Sequence, residues 1–305
     1  MAETACPCCH GENLKKIFSI RNAPSQSVVT MKSYQDAISI PRRDISLALC
    51  SDCGFIFNRD FDQTIDFYTK GYEDQQGFSA TFSNFFTSIT QRFIDKYEVK
   101  NKDILEIGCG KGDFLQLICK LGNNRGIGID PAYIPGRTSP YTNLKFFKEF
   151  YDEKHGDLPN DVITCRHTLE HIPRTHELLS TIRKSIGNKE NVILFFEVPS
   201  IIRILHVQAF WDIFYEHCSY FSPGSLARLF RMNNFEILDM YLEYDNQYLF
   251  IEARPVNIKS EKIHPLEESI QELQNYVDDF VVKINDQLGS WRKNLQAMKD
   301  KGQKV

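Results

Sequence analysis

Residues 105–114 read Leu105-Glu106-Ile107-Gly108-Cys109-Gly110-Lys111-Gly112-Asp113-Phe114. A short apolar run at 104–107 ends in G-x-G-x-G, and Phe114, Leu117, Ile118 and Leu121 then mark one helix face until Gly122 stops it. Strand, glycine loop, helix is the context such a motif needs to bind a nucleotide. Gly108 and Gly110 let the backbone turn sharply and approach a ligand closely, while Gly112 permits tight strand-to-helix packing.

The G-x-x-G continuation of the dinucleotide fingerprint is missing. Ligands that fit such a loop without a pyrophosphate include S-adenosylmethionine. Asp130 closes Gly126-Ile127-Gly128-Ile129-Asp130, where a carboxylate can accept both ribose hydroxyls. Further strands are expected at 126–129, 144–147, 162–165 and 192–198, alternating with helices, the mark of a parallel α/β sheet. Ser222-Pro223 opens another helix. Two runs at 235–242 and 248–253 follow with no helix between them and can pair antiparallel through Asp245-Asn246. The expected fold is therefore a doubly wound Rossmann-like α/β sheet ending in an antiparallel hairpin.

Nearer the N-terminus, Phe78, Phe82, Phe85, Phe86, Ile89, Phe93 and Ile94 predict an amphipathic helix within 73–97. Before it lie two C-x-x-C knuckles, Cys6/Cys9 and Cys50/Cys53. Two knuckles supply the closed tetrahedral shell of a structural zinc, with Cys8 and His10 as competing ligands. Some 60 residues build little core, and a metal would replace it. Cys109, Cys119, Cys165 and Cys218 read as buried small hydrophobes. Beyond Pro255, apolar residues from Leu266 to Met298 step by three or four, predicting a long amphipathic helix broken or bent near Gly289.

The chain has 305 residues, so two or three compact units are expected. A net charge of −4 gives no general attraction to nucleic acid or anionic lipid. No signal-peptide pattern opens the chain, and its apolar runs are too short to span a bilayer. Paired cysteines in such a chain read as metal ligands in a reducing compartment, so the expected location is cytoplasmic.

The chain resembles the zinc-domain-containing sugar C-methyltransferases, class I S-adenosylmethionine-dependent enzymes that methylate carbon beside the ketone of nucleotide-linked 4-keto deoxysugars. The resemblance rests on the knuckles, on LEIGCGKGDF and GIGID, and on Arg166-His167-Thr168-Leu169-Glu170-His171-Ile172-Pro173. Glu197-Val198-Pro199 and Tyr215-Glu216-His217-Cys218-Ser219-Tyr220-Phe221-Ser222 complete it. It implies a terminal hairpin of the methyltransferase kind and an acidic Glu106 near the sulfonium, with Arg166 in the cofactor-binding set. It makes His217 the base that generates an enolate, with Glu216 beside it and His171 stabilising the enolate oxygen.

Tyr68 or Tyr72 would line the sugar pocket, together with Phe214 and Tyr215. Phe214 departs from the family, which carries a tyrosine there. The implied organisation is a zinc ribbon at 1–60, a helical substrate-side segment at 61–98 and a cofactor-binding domain at 99–255. A C-terminal helix at 256–305 would lead toward the family's second α/β domain. Two rival readings are an O- or N-methyltransferase for another small molecule and a non-catalytic zinc-containing binding protein. His155, His176 and His206 read as surface or loop residues, and Phe210 and Trp211 as core packing.

Overall fold

In the computed structural model, which describes residues 3–64, 77–135 and 143–304, the alternation read from Asp103 onward folds into a seven-stranded sheet. In chain order the elements are β1 (Leu14–Pro24), α1 (Tyr34–Ile38), β2 (Arg42–Cys50), β3 (Ile56–Asn58) and α2 (Ala80–Tyr97). Then come β4 (Asp103–Ile107), α3 (Asp113–Gly122), β5 (Arg125–Ile129), β6 (Leu144–Phe147), β7 (Val162–Arg166), α4 (Thr175–Ile186) and β8 (Ile193–Pro199). The chain continues through α5 (Ile201–Val207), β9 (Ser219–Tyr220), α6 (Pro223–Met232), β10 (Phe235–Glu243), β11 (Tyr248–Pro255) and α7 (Ile270–Asp300).

The large sheet runs β10-β11-β8-β7-β4-β5-β6. Strands β4 to β8 pair in parallel, and β11 is antiparallel to both its neighbours. From β4 the chain winds outward through β5 and β6, then returns to β7 on the other side. The winding reverses between β4 and β7, so the ligand crevice of such a sheet opens at their carboxyl ends. Tyr244, Asp245 and Asn246 all take positive φ (53°, 58° and 57°) to close the hairpin between β10 and β11. Asp and Asn tolerate that region best among residues with a Cβ.

Helices cover both faces because successive strand residues point to opposite sides. On one face Phe93 and Ile94 of α2 and Phe114 and Ile118 of α3 pack on Phe195 and Phe250. On the other, Leu179 and Ile182 of α4 and Leu229 and Phe230 of α6 pack on Ile163 and Phe196. Neighbouring Phe195 and Phe196 thus serve different cores.

The N-terminal lobe is a four-stranded sheet in the order β1-β2-β3-β9. Its fourth strand comes from the segment between α5 and α6, with Phe57 opposite Ser219 and Ile56 opposite Tyr220. Cys6, Ala48, Phe55 and Phe57 also belong to the main sheet's apolar cluster. The lobe is therefore built into the larger unit through shared backbone pairing and a shared core.

Helix α7 opens at Ser269 with a capping box to Glu272, so Leu266 precedes it. It packs Leu273, Val277, Phe280 and Ile284 beside α5 and β1. It continues unbroken through Gly289, so no break occurs there: one glycine weakens a helix by about 1 kcal/mol, too little to end it. Two other expectations also change. His155 is buried, bonded to Glu149 at 2.9 Å, and Trp211 is 54% exposed. No helix among the described residues is long and apolar enough to cross a membrane.

Candidate active site

The glycine loop sits where the winding reverses. Gly108 has φ 72°, and its N–H donates to the Ile129 carbonyl at 2.8 Å. A Cβ there would meet Thr168 Oγ1 at 2.0 Å, so the close pass of the post-β7 segment requires glycine. Gly110 (φ 53°) donates its N–H to Asp130 Oδ2 at 2.8 Å, while Asp130 Oδ1 accepts from Ala132 N–H at 2.6 Å. Gly112 (φ 87°) is the N-cap of α3, without a side-chain cap.

Glu106 is buried at the end of β4, and desolvation lifts its carboxyl to about 8 despite the opposing Arg166 charge. Its Oε2 has no hydrogen-bond partner among the described residues. Arg166 donates to the fully buried Glu197 through Nε and Nη2. Its guanidinium lies 4.1 Å from the Phe86 ring centroid and 4.5 Å from that of Phe114. Burial alone would raise the Glu197 carboxyl, but Arg166 and His167 hold it below the usual carboxylate range.

The sequence motif alone assigns no role to His167. It adopts φ 47°, places Nε2 3.2 Å from Glu197 Oε1, and places Nδ1 3.5 Å from Glu170 Oε1. Burial lowers its pKa, yet the two carboxylates outweigh that and push it up to about 9. The available signal was the three-residue spacing of His167 and Glu170 at the edge of β7.

His171 and His217 meet edge to face, ring centroids 4.8 Å apart. His171 donates from Nδ1 to the Glu216 carbonyl at 2.9 Å, since a carbonyl can only accept. Burial, then the His171 and His167 charges, hold the His217 pKa well below its ordinary value, keeping the ring neutral. Phe214 packs on His217 with ring centroids 3.9 Å apart.

A cavity of about 810 Å³ joins these groups, and Glu106, Gly108, Gly110, Asp130, Arg166, His171, Phe214 and His217 all line it. Exposed Phe78 stands at its edge, before α2, and Val28 enters from the N-terminal lobe. Glu216 and Tyr215 lie elsewhere. The Glu216 carboxylate turns to Ser27, accepting from its N–H at 2.8 Å and from its hydroxyl. Tyr215 is fully buried, its hydroxyl accepting from Asp62 N–H at 2.8 Å. Phe214 and His217, the two ends of a turn closed by His217 N–H to the Phe214 carbonyl at 3.2 Å, thus face the cavity, and Tyr215 and Glu216 at its centre face the lobe. Tyr68 and Tyr72 fall outside the described residues.

The thiols of Cys6, Cys9, Cys50 and Cys53 lie within 4.8 Å of one another, with Cys6–Cys53 at 3.7 Å and Cys9–Cys50 at 3.6 Å. A tetrahedral zinc with bonds near 2.3 Å has sulfur–sulfur edges of about 3.8 Å, so the set fits that ion. Cys8 is buried outside this set, and the His10 ring instead meets His176 at 5.8 Å.

A family model described as a methyltransferase domain matches residues 79–240. The C-methyltransferase NovU of Streptomyces niveus is 28% identical over 148 residues, covering 45% of this chain and 34% of that protein. The chain thus aligns with about a third of this curated relative. Similar solved structures include a riboflavin-analogue dimethyltransferase, RosA, from Streptomyces davawensis, with 17% identity, TM-score 0.45, and coverage of 58% of this chain and 56% of that one. The magnesium protoporphyrin IX methyltransferase of Synechocystis has 14% identity and TM-score 0.44, over 62% of this chain and 91% of that one.

Proposed function

The chain belongs to the methyltransferase-domain family, and from that premise we propose S-adenosylmethionine-dependent C-methylation beside the ketone of a nucleotide-linked keto deoxysugar. The carrying observation is the His171–His217 pair on the wall of the cavity that also holds the glycine loop and Asp130. The relative named a C-methyltransferase supports transfer to carbon.

When bound, S-adenosylmethionine supplies an electrophilic methyl on a positively charged sulfur. Asp130 would accept the ribose hydroxyls, the glycine loop would hold the adenosine, and Glu106 would serve the sulfonium end. His217 takes the proton beside the acceptor ketone, because a carbon becomes nucleophilic only as its enolate. His171 stabilises the oxygen where charge develops. Holding donor and acceptor in one cavity contributes the entropic part of the rate. Cys6, Cys9, Cys50 and Cys53 would hold a structural zinc, since four thiolates would leave no open position on it.

Deuterium wash-in beside the ketone of a nucleotide-linked 4-keto deoxysugar tests the base. His217→Ala is expected to lose exchange and methyl transfer while retaining S-adenosylmethionine binding. Full exchange in that variant rejects the assignment.

A further inference from the structure

We propose that Glu170, His171 and His217 form a second metal site, which takes a divalent transition-metal ion on the acceptor side of the cavity and blocks the base when filled. One carboxylate oxygen of Glu170 and one ring nitrogen of each histidine lie within 4.8 Å of one another. Two imidazoles and a carboxylate are a complete three-ligand set for zinc or cobalt. All three side chains line the cavity, so the remaining coordination positions open onto it.

A second, independent observation concerns Glu170. It is only 2% exposed, and its Oε2 has no hydrogen-bond partner among the described residues. A buried carboxylate oxygen without a donor is costly, and a cation removes that cost.

The surroundings also suit a metal. His171 Nδ1 is committed to the Glu216 carbonyl, leaving Nε2 with the lone pair. Glu170 Oε1 has His167 Nδ1 behind it at 3.5 Å. Ligating histidines and carboxylates carry such outer contacts, which fix the tautomer and the orientation. The backbones are tied as well: Cys218 N–H donates to the Glu170 carbonyl at 3.0 Å, and Ser219 Oγ donates to the Ile172 carbonyl at 2.8 Å. The ligands therefore stand assembled without the ion.

This site differs in kind from the four-thiolate one. Nitrogen and oxygen donors with open positions hold zinc exchangeably, whereas four thiolates enclose it. The blocking role rests on the reading of His217 as the base: a lone pair bound to metal cannot accept a proton. Added divalent metal then competes with deprotonation of the acceptor.

Titration of cobalt(II) into the full-length protein, with zinc on its four thiolates, tests the binding. One further equivalent is expected, with weak visible bands and no sulfur-to-metal charge-transfer absorption. Glu170→Gln should lose this equivalent while retaining the thiolate-bound zinc, which reports that the fold survives. His167→Gln, acting from behind Glu170, should weaken it by about 10- to 100-fold. Absence of a second equivalent, or binding by Glu170→Gln equal to the parent, overturns the site. In the activity arm, zinc(II) should inhibit methyl transfer to the keto sugar, and a chelator should restore it. Stimulation by metal instead overturns the blocking role and the assignment of His217 as base, whereas the site itself is judged by the titration alone.

Discussion

His171 Nδ1 donates to the backbone carbonyl of Glu216 at 2.9 Å, joining the turn after β7 to the loop that presents His217. This bond fixes the His171 tautomer and sets the two imidazoles at 76° to each other. The turn belongs to the large sheet, and the loop leads into β9 of the N-terminal lobe. The cavity wall thus depends on both sheets at once.

Substituting His171→Ala removes the group proposed to stabilise the oxyanion and loosens that junction. A fall in kcat of about 10²- to 10⁴-fold is expected, the range for one positioned acid–base group. The dissociation constant of S-adenosylmethionine should stay unchanged, because Asp130 and Gly110 hold each other without this residue. A parallel loss of cofactor affinity in calorimetry would contradict the division of the cavity into two walls.

Glu106 gives a pH dependence with a defined sign. Desolvation raises its folded pKa from 4.5 to about 8. Between those values the folded protein keeps a proton that the unfolded chain has lost, so this group's effect makes stability fall as pH rises through the window. A sulfonium nearby favours the ionised form. Binding of S-adenosylmethionine near neutral pH should therefore release a proton, and its advantage over S-adenosylhomocysteine, whose sulfur carries no charge, should grow up to about pH 8. Calorimetry in buffers of different ionisation enthalpy measures the release, which Glu106→Gln should abolish.

The Arg166–Glu197 pair is expected to matter more for stability than any surface ion pair. Glu197→Gln leaves a buried guanidinium and the His167 imidazolium without their shared counter-charge. Breaking a buried pair from one side costs about 3–5 kcal/mol. Urea unfolding should show a midpoint lowered accordingly. In the same variant, titration of His167 followed by NMR should move down from about 9, because Glu197 is the largest influence raising it.

Much of this arrangement was legible before any coordinates. The parallel strands are short segments rich in apolar residues, and the loop after β4 takes positive φ at Gly108, Gly110 and Gly112, so both left strong marks in the sequence. The four cysteines did the same, although only geometry separates Cys9 from Cys8. What stayed hidden depends on contacts distant in sequence. β9 is two residues long and carries no period; it exists because β3 offers an edge. Tyr215 and Glu216 immediately precede His217 in the most specific motif, yet they form the centre of a turn closed by His217 N–H to the Phe214 carbonyl at 3.2 Å, which faces them away from the cavity. One then reaches Asp62 and the other Ser27. Proximity in sequence to a candidate base was the wrong guide to the cavity.

Metal removal from the four-thiolate site should reach His217 through a short path. Cys53 is followed by Phe55, whose ring lies 5.4 Å from that of Phe221, and by β3. Asn58 N–H donates to the Cys218 carbonyl at 2.9 Å, one residue beyond His217. The small lobe has little else to hold these turns, so losing the ion should loosen β3 and β9 together. The glycine loop rests on β4 and β5 and has no such dependence. After chelation, hydrogen exchange is expected to quicken at Ile56, Phe57, Ser219 and Tyr220, with methyl transfer falling and S-adenosylmethionine binding retained. If exchange quickens around the knuckles while β9 keeps its protection, the lobe does not position His217, and its effect on the reaction must run through Val28 at the cavity wall.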